Sequence, residues 1–353
     1  MERLIANLHD DRGFDVSHDV ESGVRTAPEA FEEHYAWRMR DLALQFYTVG
    51  GDSPLFTGGA DPLAGALRRL EHVRTAVESR DDFVIVESAA DLDDVVAGRR
   101  RGLVLTIEGG AALGETDTSV LRTLHRLGLR SLNLLWFRAN ALGDGLGEPR
   151  GGGLTGFGRE VLAEACRLGV IPDVSQASER TTDEIIAGAT IPVIASHSNA
   201  RAVRDEPRNL SDAQIRAIAA TGGLVGLNGF PRLVAAGEPD VDDLIAHALH
   251  IIDLVGPEHV CFGLNIIPRA MDLGPAAGTA VAGSASHSTG EARARRHLPS
   301  VPDVTALPDV IRRLASHGVD EATVDLIAFG NVERVLRAVL PASAPVRPDA
   351  THG

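Results

Sequence analysis

The sequence predicts an α/β protein of the (β/α)₈ TIM-barrel class. Two observations predict it: short β-rich runs alternate with amphipathic stretches along the chain, and the runs number eight. A third concerns chemistry, because the metal-capable side chains fall at the C-terminal ends of those runs, where a barrel builds its active site. An open doubly wound sheet with a similar strand count is the alternative on pattern alone.

The strand candidates are residues 4–8, 44–49, 103–107, 131–135, 170–174, 192–196, 224–228 and 260–264. Between most of them apolar residues recur three and four apart, as at 64–77, 119–127, 158–168 and 212–220, which predicts helices. Ser211-Asp212 makes a helix start and Gly222-Gly223 a stop. Two segments break the rhythm: the glycine-rich stretch 136–153, and residues 265–302, rich in Gly, Ala, Ser and Arg. Both are expected as loops on the C-terminal face. No internal repeat or linker divides the chain, so one barrel domain is expected over residues 1–340. The Pro/Ala-rich tail 341–353 is expected to be disordered.

Composition narrows the function. The chain has 353 residues, 44% hydrophobic and 24% charged, the balance of a soluble enzyme. A net charge of −15 argues against nucleic acid or an anionic membrane as partner and leaves small molecules. The start Met1-Glu2-Arg3 lacks the features of a secretory signal, so a cytoplasmic location is expected. Cys166, on a helical pattern, and Cys261, in an apolar strand, are both expected in the core rather than in a disulfide. All 34 basic residues are arginine. Schiff-base chemistry, lysine-anchored pyridoxal phosphate, a P-loop lysine and a carbamylated lysine bridging two metals are therefore excluded.

The first run ends in His9-Asp10-Asp11, the third in Glu108 and the sixth in His197. Residues two apart in an extended segment point the same way, so His9 and Asp11 can chelate one ion. Imidazole with carboxylate suits zinc, manganese or iron rather than calcium. Each residue alone has a plain alternative as a helix cap or a solvated loop residue; their convergence at one rim favours a divalent metal, zinc first. Arg208, in Glu206-Pro207-Arg208-Asn209, is placed to clamp a substrate carboxylate, or else pairs at the surface with Asp205 or Glu206.

Several motifs together resemble the membrane (renal) dipeptidase family. They are Leu105-Thr106-Ile107-Glu108-Gly109-Gly110, Gly153-Leu154-Thr155-Gly156-Phe157-Gly158-Arg159-Glu160, Ser196-His197-Ser198-Asn199-Ala200-Arg201, Pro207-Arg208-Asn209 and Gly330-Asn331. The resemblance runs from about residue 4 to 340. It implies a (β/α)₈ barrel of metal-dependent hydrolase type that cleaves dipeptides and related amides with two zinc ions, and a homodimer. On the matching positions, His9 and Asp11 would hold the first metal, Glu108 would bridge, His197 would hold the second, and Arg208 would grip the substrate carboxylate.

Two positions depart from the family pattern. Where the family has Asp-Leu-Ser-His, this chain has Asp173-Val174-Ser175-Gln176. Where it has Gly-Ser-Asp-Phe-Asp-Gly, this chain has Gly263-Leu264-Asn265-Ile266-Ile267-Pro268. Trp136 stands where members often carry His or Tyr near the substrate carbonyl. Gln176 offers zinc only a neutral amide oxygen, and Asn265 removes a negative charge and a proton acceptor. The expectation is one firmly held metal, with the second weak or absent. Three functions compete: a hydrolase of small carboxylate-bearing amides, a tailoring enzyme of secondary metabolism that no longer hydrolyses, and a non-catalytic binding homologue.

Overall fold

Valine, isoleucine and leucine dominate the strand runs, and in the structure these runs pair side by side, all parallel, so both faces of each strand are covered. The computed structural model describes residues 3–52, 61–266 and 297–343. Its strands are β1 (Ala6–Asp10), β2 (Leu44–Gly51), β3 (Phe83–Ile85), β4 (Arg101–Glu108), β5 (Leu129–Asn133), β6 (Ile171–Asp173), β7 (Ile194–Ala195), β8 (Leu224–Leu227) and β9 (Val260–Phe262). The sheet runs β1-β2-β4-β5-β6-β7-β8-β9. Asp11 N donates to Ile266 O at 3.3 Å and Leu264 N to Asn7 Oδ1 at 2.8 Å, which brings the last strand back to the first. The fold is a near-closed eight-stranded parallel barrel with helices outside.

One strand was not expected. β3 pairs with the beginning of β4, Val84 opposite Gly102, while β5 joins β4 only from Leu105 onward. Three residues fill the gap that the slanted register leaves at the barrel's lower edge. Of the expected helices, 64–77 is observed as Pro62–Glu78, 119–127 as Ser119–Arg126, 158–168 as Gly156–Leu168 and 212–220 as Asp212–Ala220. Ser211 caps the last of these, accepting from Gln214 N, and Gly222 follows with φ 79°.

Two apolar layers hold the barrel. The larger lies between the strands and the helices. A smaller one, including Leu8, Phe46, Val104 and Cys261, is joined by Phe329, Val332 and Leu336 from the chain's last helical segment. Cys166 and Cys261 are both buried and free, as expected. No described helix is long and apolar enough to cross a membrane. Most of the stretch 265–302, including Ile267 and Pro268, and most of the tail lie outside the described residues.

Candidate metal centre

His9 leaves β1, Glu108 ends β4, and His197 follows β7 two residues past its end. Each is under 4% exposed. The rings of His9 and His197 stack with centroids 3.8 Å apart and planes 24° from parallel. His9 Nε2 lies 3.3 Å from Asp11 Oδ1 and 3.6 Å from Glu108 Oε1, and His197 Nε2 lies 3.4 Å from the same Glu108 oxygen. One ligand atom from each of His9, Glu108 and His197 falls within 4.8 Å of the others.

Unmet valence at the cluster fits a cation. His9 Nε2 and Asp11 Oδ1 are buried and have no hydrogen-bond partner. Buried donors and acceptors are seldom left so, and converging imidazole and carboxylate groups are the ordinary shell of zinc. The titration behaviour agrees. Burial pushes Glu108 up to about 8, helped by the Asp11 charge and opposed by His9 and Arg208. Burial depresses His9, but the charges of Asp11 and Glu108 override that and push it up to about 9.

The Glu108–His197 side of the cluster is different. Gln176 Nε2 donates to Glu108 Oε1 and stands 3.0 Å from His197 Nε2. Burial, then the charges of His9 and Arg208, hold His197 well below its ordinary pKa, so it is neutral. With Nε2 accepting from Gln176, its Nδ1–H donates to Ser196 Oγ at 2.7 Å. One amide NH₂ group therefore satisfies the two acceptors that a second cation would otherwise bridge. Turning the amide over would place its oxygen against a carboxylate, which repulsion forbids while no cation is there.

Gln176, φ 69°, and Asn265, φ 56°, are the only non-glycine residues with left-handed backbone among the described residues. Such conformations cost on the order of 1 kcal/mol and collect at functional sites. Asn265 ends the chain's run out of β9, half-buried, and makes no side-chain hydrogen bond among the described residues.

Arg208 faces inward rather than pairing with Asp205 or Glu206. Its Nη1 donates to Ser198 Oγ at 2.7 Å and its Nη2 to His197 O at 2.9 Å, while Glu206 pairs with Arg232. Burial pulls it down to about 10, still fully charged at neutral pH. With Gln176, Ser198 and Arg201 it lines a small crevice. Trp136 stands half-buried on the loop after β5, edge-on to Phe137 at 6.3 Å.

Sequence reasoning assigned no role to the polar net beneath the ligands. Asp173 Oδ1 accepts from Ser175 N at 2.9 Å and Ser196 N at 3.0 Å; Ser175 Oγ accepts from His197 N at 3.1 Å; Asn228 Nδ2 donates to His197 O at 3.0 Å. The signal was present in Asp173 and Ser175, which alternate with apolar residues at the end of a strand run, and in the polar stretch Ser196-His197-Ser198-Asn199 that ends another.

A family model described as membrane dipeptidase (peptidase family M19) matches residues 38–272. An uncharacterized protein in the pqqA 5′ region of Klebsiella pneumoniae is 31% identical over 71% of this chain and 87% of its own length. Dipeptidase tcpJ of Claviceps purpurea is 29% identical over 72% of this chain, which spans only 55% of that protein. A metallo peptidase from Rhodobacter sphaeroides, solved with a phosphinate mimic of L-Ala-D-Ala, superposes with a TM-score of 0.79 at 23% identity, covering 96% of this chain and 100% of that one. At that identity the likeness is one of fold.

Proposed function

Because the chain belongs to the membrane dipeptidase family, we propose that it acts on a small amide or dipeptide-like substrate bearing a free carboxylate, with one divalent ion rather than two. The observation that carries the reading is the Gln176 amide, which takes up Glu108 and His197 where a second ion would bind. His9, Asp11 and Glu108 would hold the one ion, zinc being the best match to their donors. Bound there, it supplies Lewis-acid polarisation of an amide carbonyl. Arg208, anchored to Ser198 and to the His197 carbonyl, keeps three further N–H donors for the substrate carboxylate. Asn265 offers N–H groups to a developing oxyanion but cannot accept a proton, whereas both Gln176 N–H groups are engaged by Glu108 and His197.

A site with one ion, and so without a hydroxide held between two, also supports a second reading, in which water is kept from attacking. In it the barrel orients a carboxylate-bearing metabolite for elimination, isomerisation or cyclisation. A panel of dipeptides and N-acyl amino acids, assayed with zinc, manganese and iron, separates the two.

The test of the one-ion reading is metal stoichiometry. The wild type is expected to hold one ion tightly. Gln176→His with Asn265→Asp is expected to hold two and to raise dipeptide hydrolysis by about 10²-fold or more, the usual worth of a positioned base. Two tightly held ions in the wild type would overturn the reading.

A further inference from the structure

Arg12 is a second buried guanidinium at the same rim, unused by the function proposed above. It follows Asp11 directly and flanks the start of α1 (Gly13–Glu21). The residue is 6% exposed, yet its Nε and Nη1 have no hydrogen-bond partner. Its Nη2 lies 4.0 Å from Asp303 Oδ2, and that carboxylate also lies 3.5 Å from Arg38 Nε. Asp303 is further engaged in its own turn, Oδ1 accepting from Thr305 N at 3.0 Å. Asp10, the neighbouring acid, spends Oδ1 on the Arg12 backbone N–H at 2.8 Å. Asp303 is thus divided between two guanidiniums, and the Nε and Nη1 donors of Arg12 stay unmet.

A second unmet group lies close by. The Tyr35 hydroxyl is buried without a partner, on a residue 2% exposed. Its phenol feels the charges of Asp10, Asp11 and Arg12. Burying a guanidinium with free donors is costly, and an oxyanion that accepts from Arg12 and Tyr35 relieves both.

Placement indicates which part of a ligand this would be. Arg208 holds the carbonyl of His197, whereas Arg12 adjoins Asp11, which contacts His9. Arg208 thus adjoins the His197 end of the stacked His9–His197 pair, and Arg12 the His9 end. A substrate whose carboxylate sits at Arg208 and whose amide lies over the cluster extends its acyl half toward Arg12. We propose that Arg12 and Tyr35 form a second anion subsite, and that the preferred substrate carries a distal oxyanion on its acyl half as well as the carboxylate taken by Arg208. The inference rests on the substrate class proposed above.

Calorimetry on the full-length, zinc-loaded protein tests it with N-succinyl-alanine and N-butyryl-alanine, which differ by a terminal carboxylate in place of a methyl group. The wild type is expected to bind the succinyl compound about tenfold tighter or more, the scale of a buried charge pair. Arg12→Met is expected to erase that preference and leave the butyryl compound unaffected. Asp303→Asn removes the competing negative charge and is expected to strengthen succinyl binding severalfold, whereas a purely structural Arg12–Asp303 pair predicts no gain. A phosphono analogue of the succinyl chain distinguishes a phosphate-type distal group from a carboxylate. Equal binding of succinyl and butyryl compounds by the wild type overturns the subsite and leaves the carboxylate reading of Arg208 intact. Binding of neither overturns both. Should Arg12→Met fail to fold, the wild-type preference and Asp303→Asn still decide.

Discussion

Asp52 sits at the end of β2, behind the cluster, and does for Glu108 what no ligand residue can. Its backbone N donates to Glu108 O at 3.0 Å, its Oδ1 accepts from Ala111 N at 2.7 Å, and its Oδ2 accepts from Asn140 Nδ2 at 2.7 Å. The turn after Glu108 is thereby tied to β2 and to the loop after β5. Gly109 takes φ 105° there, and a Cβ on it would meet the Asp52 carboxyl at 2.3 Å, so the tie requires glycine. Burial pushes Asp52 up to about 6, more than the bonds from Asn140 and Ala111 pull it down. In the unfolded chain it ionises near 4. Between those values the unfolded state is ionised and the folded state is not, so this group's contribution to stability falls as pH rises from about 4 to about 6 and stays low above that. Asp52→Asn carries no such titration. The stability difference between variant and wild type is expected to shift in the variant's favour across that window, by on the order of 2 kcal/mol. Denaturation at stepped pH measures it, and a pH-independent difference would contradict the assignment.

The loop after β5 is the element that fixes Gln176 in its left-handed conformation. Leu146 N donates to Gln176 O at 2.8 Å, and Asp144 O accepts from Ser178 N at 3.1 Å and Thr181 Oγ1 at 2.8 Å. Asp144 is in turn held by Arg150 Nε at 3.0 Å and by Gly152 N. The loop's glycines permit this close folding, since a Cβ on Gly145 would stand 1.9 Å from Trp136 O. Backbone cannot yield as a flexible side chain can, so Gly145→Ala is expected to undock the loop at a cost of about 1–3 kcal/mol. The readout is limited trypsin digestion: faster cleavage at the exposed Arg138 and Arg150 than in wild type, with the rest of the barrel protected. Unchanged digestion would mean the loop has another packing.

How much of this was legible depended on what each feature left in one dimension. The convergence of His9, Glu108 and His197 was readable because each ends an apolar run and strand ends share a rim. β3 was not, because Phe83–Ile85 is too short for a period and its pairing is set by the slant of β4. Gln176 was readable as a departure from a motif. Its amide's grip on Glu108 and His197 was not, since that depends on a backbone angle imposed by a loop thirty residues earlier in the chain. Arg12 gave no signal either: an arginine at a strand end looks solvated until packing from Asp303, far along the chain, encloses it.

At the scale of the whole molecule, the barrel closes where β9 meets β1, and one wholly buried asparagine joins that seam. Asn7 Oδ1 accepts from Leu264 N at 2.8 Å; its Nδ2 donates to His9 O at 2.9 Å and to Gln45 Oε1 at 3.1 Å; and Gln45 Nε2 returns to Asn7 O at 3.1 Å. Three strands and the backbone of a candidate metal ligand thus meet in one satisfied network. Asn7→Leu keeps similar volume but strips partners from Leu264 N, the His9 carbonyl and Gln45. Each buried group so orphaned costs about 1–3 kcal/mol, so a total loss on the order of 3 kcal/mol is expected after relaxation. Seam and site are the same structure, because the residue after Leu264 is Asn265 and the residue bonded through Asn7 is His9. Asn7→Leu is therefore expected to weaken metal affinity together with global stability. Gly145→Ala, acting on the far side of the cluster, leaves most of the seam's stability in place. Denaturant unfolding with and without zinc compares them: the zinc-dependent gain should shrink in Asn7→Leu, because a looser site binds the folded state less tightly. A full zinc-dependent gain in that variant would show that His9 is positioned independently of barrel closure.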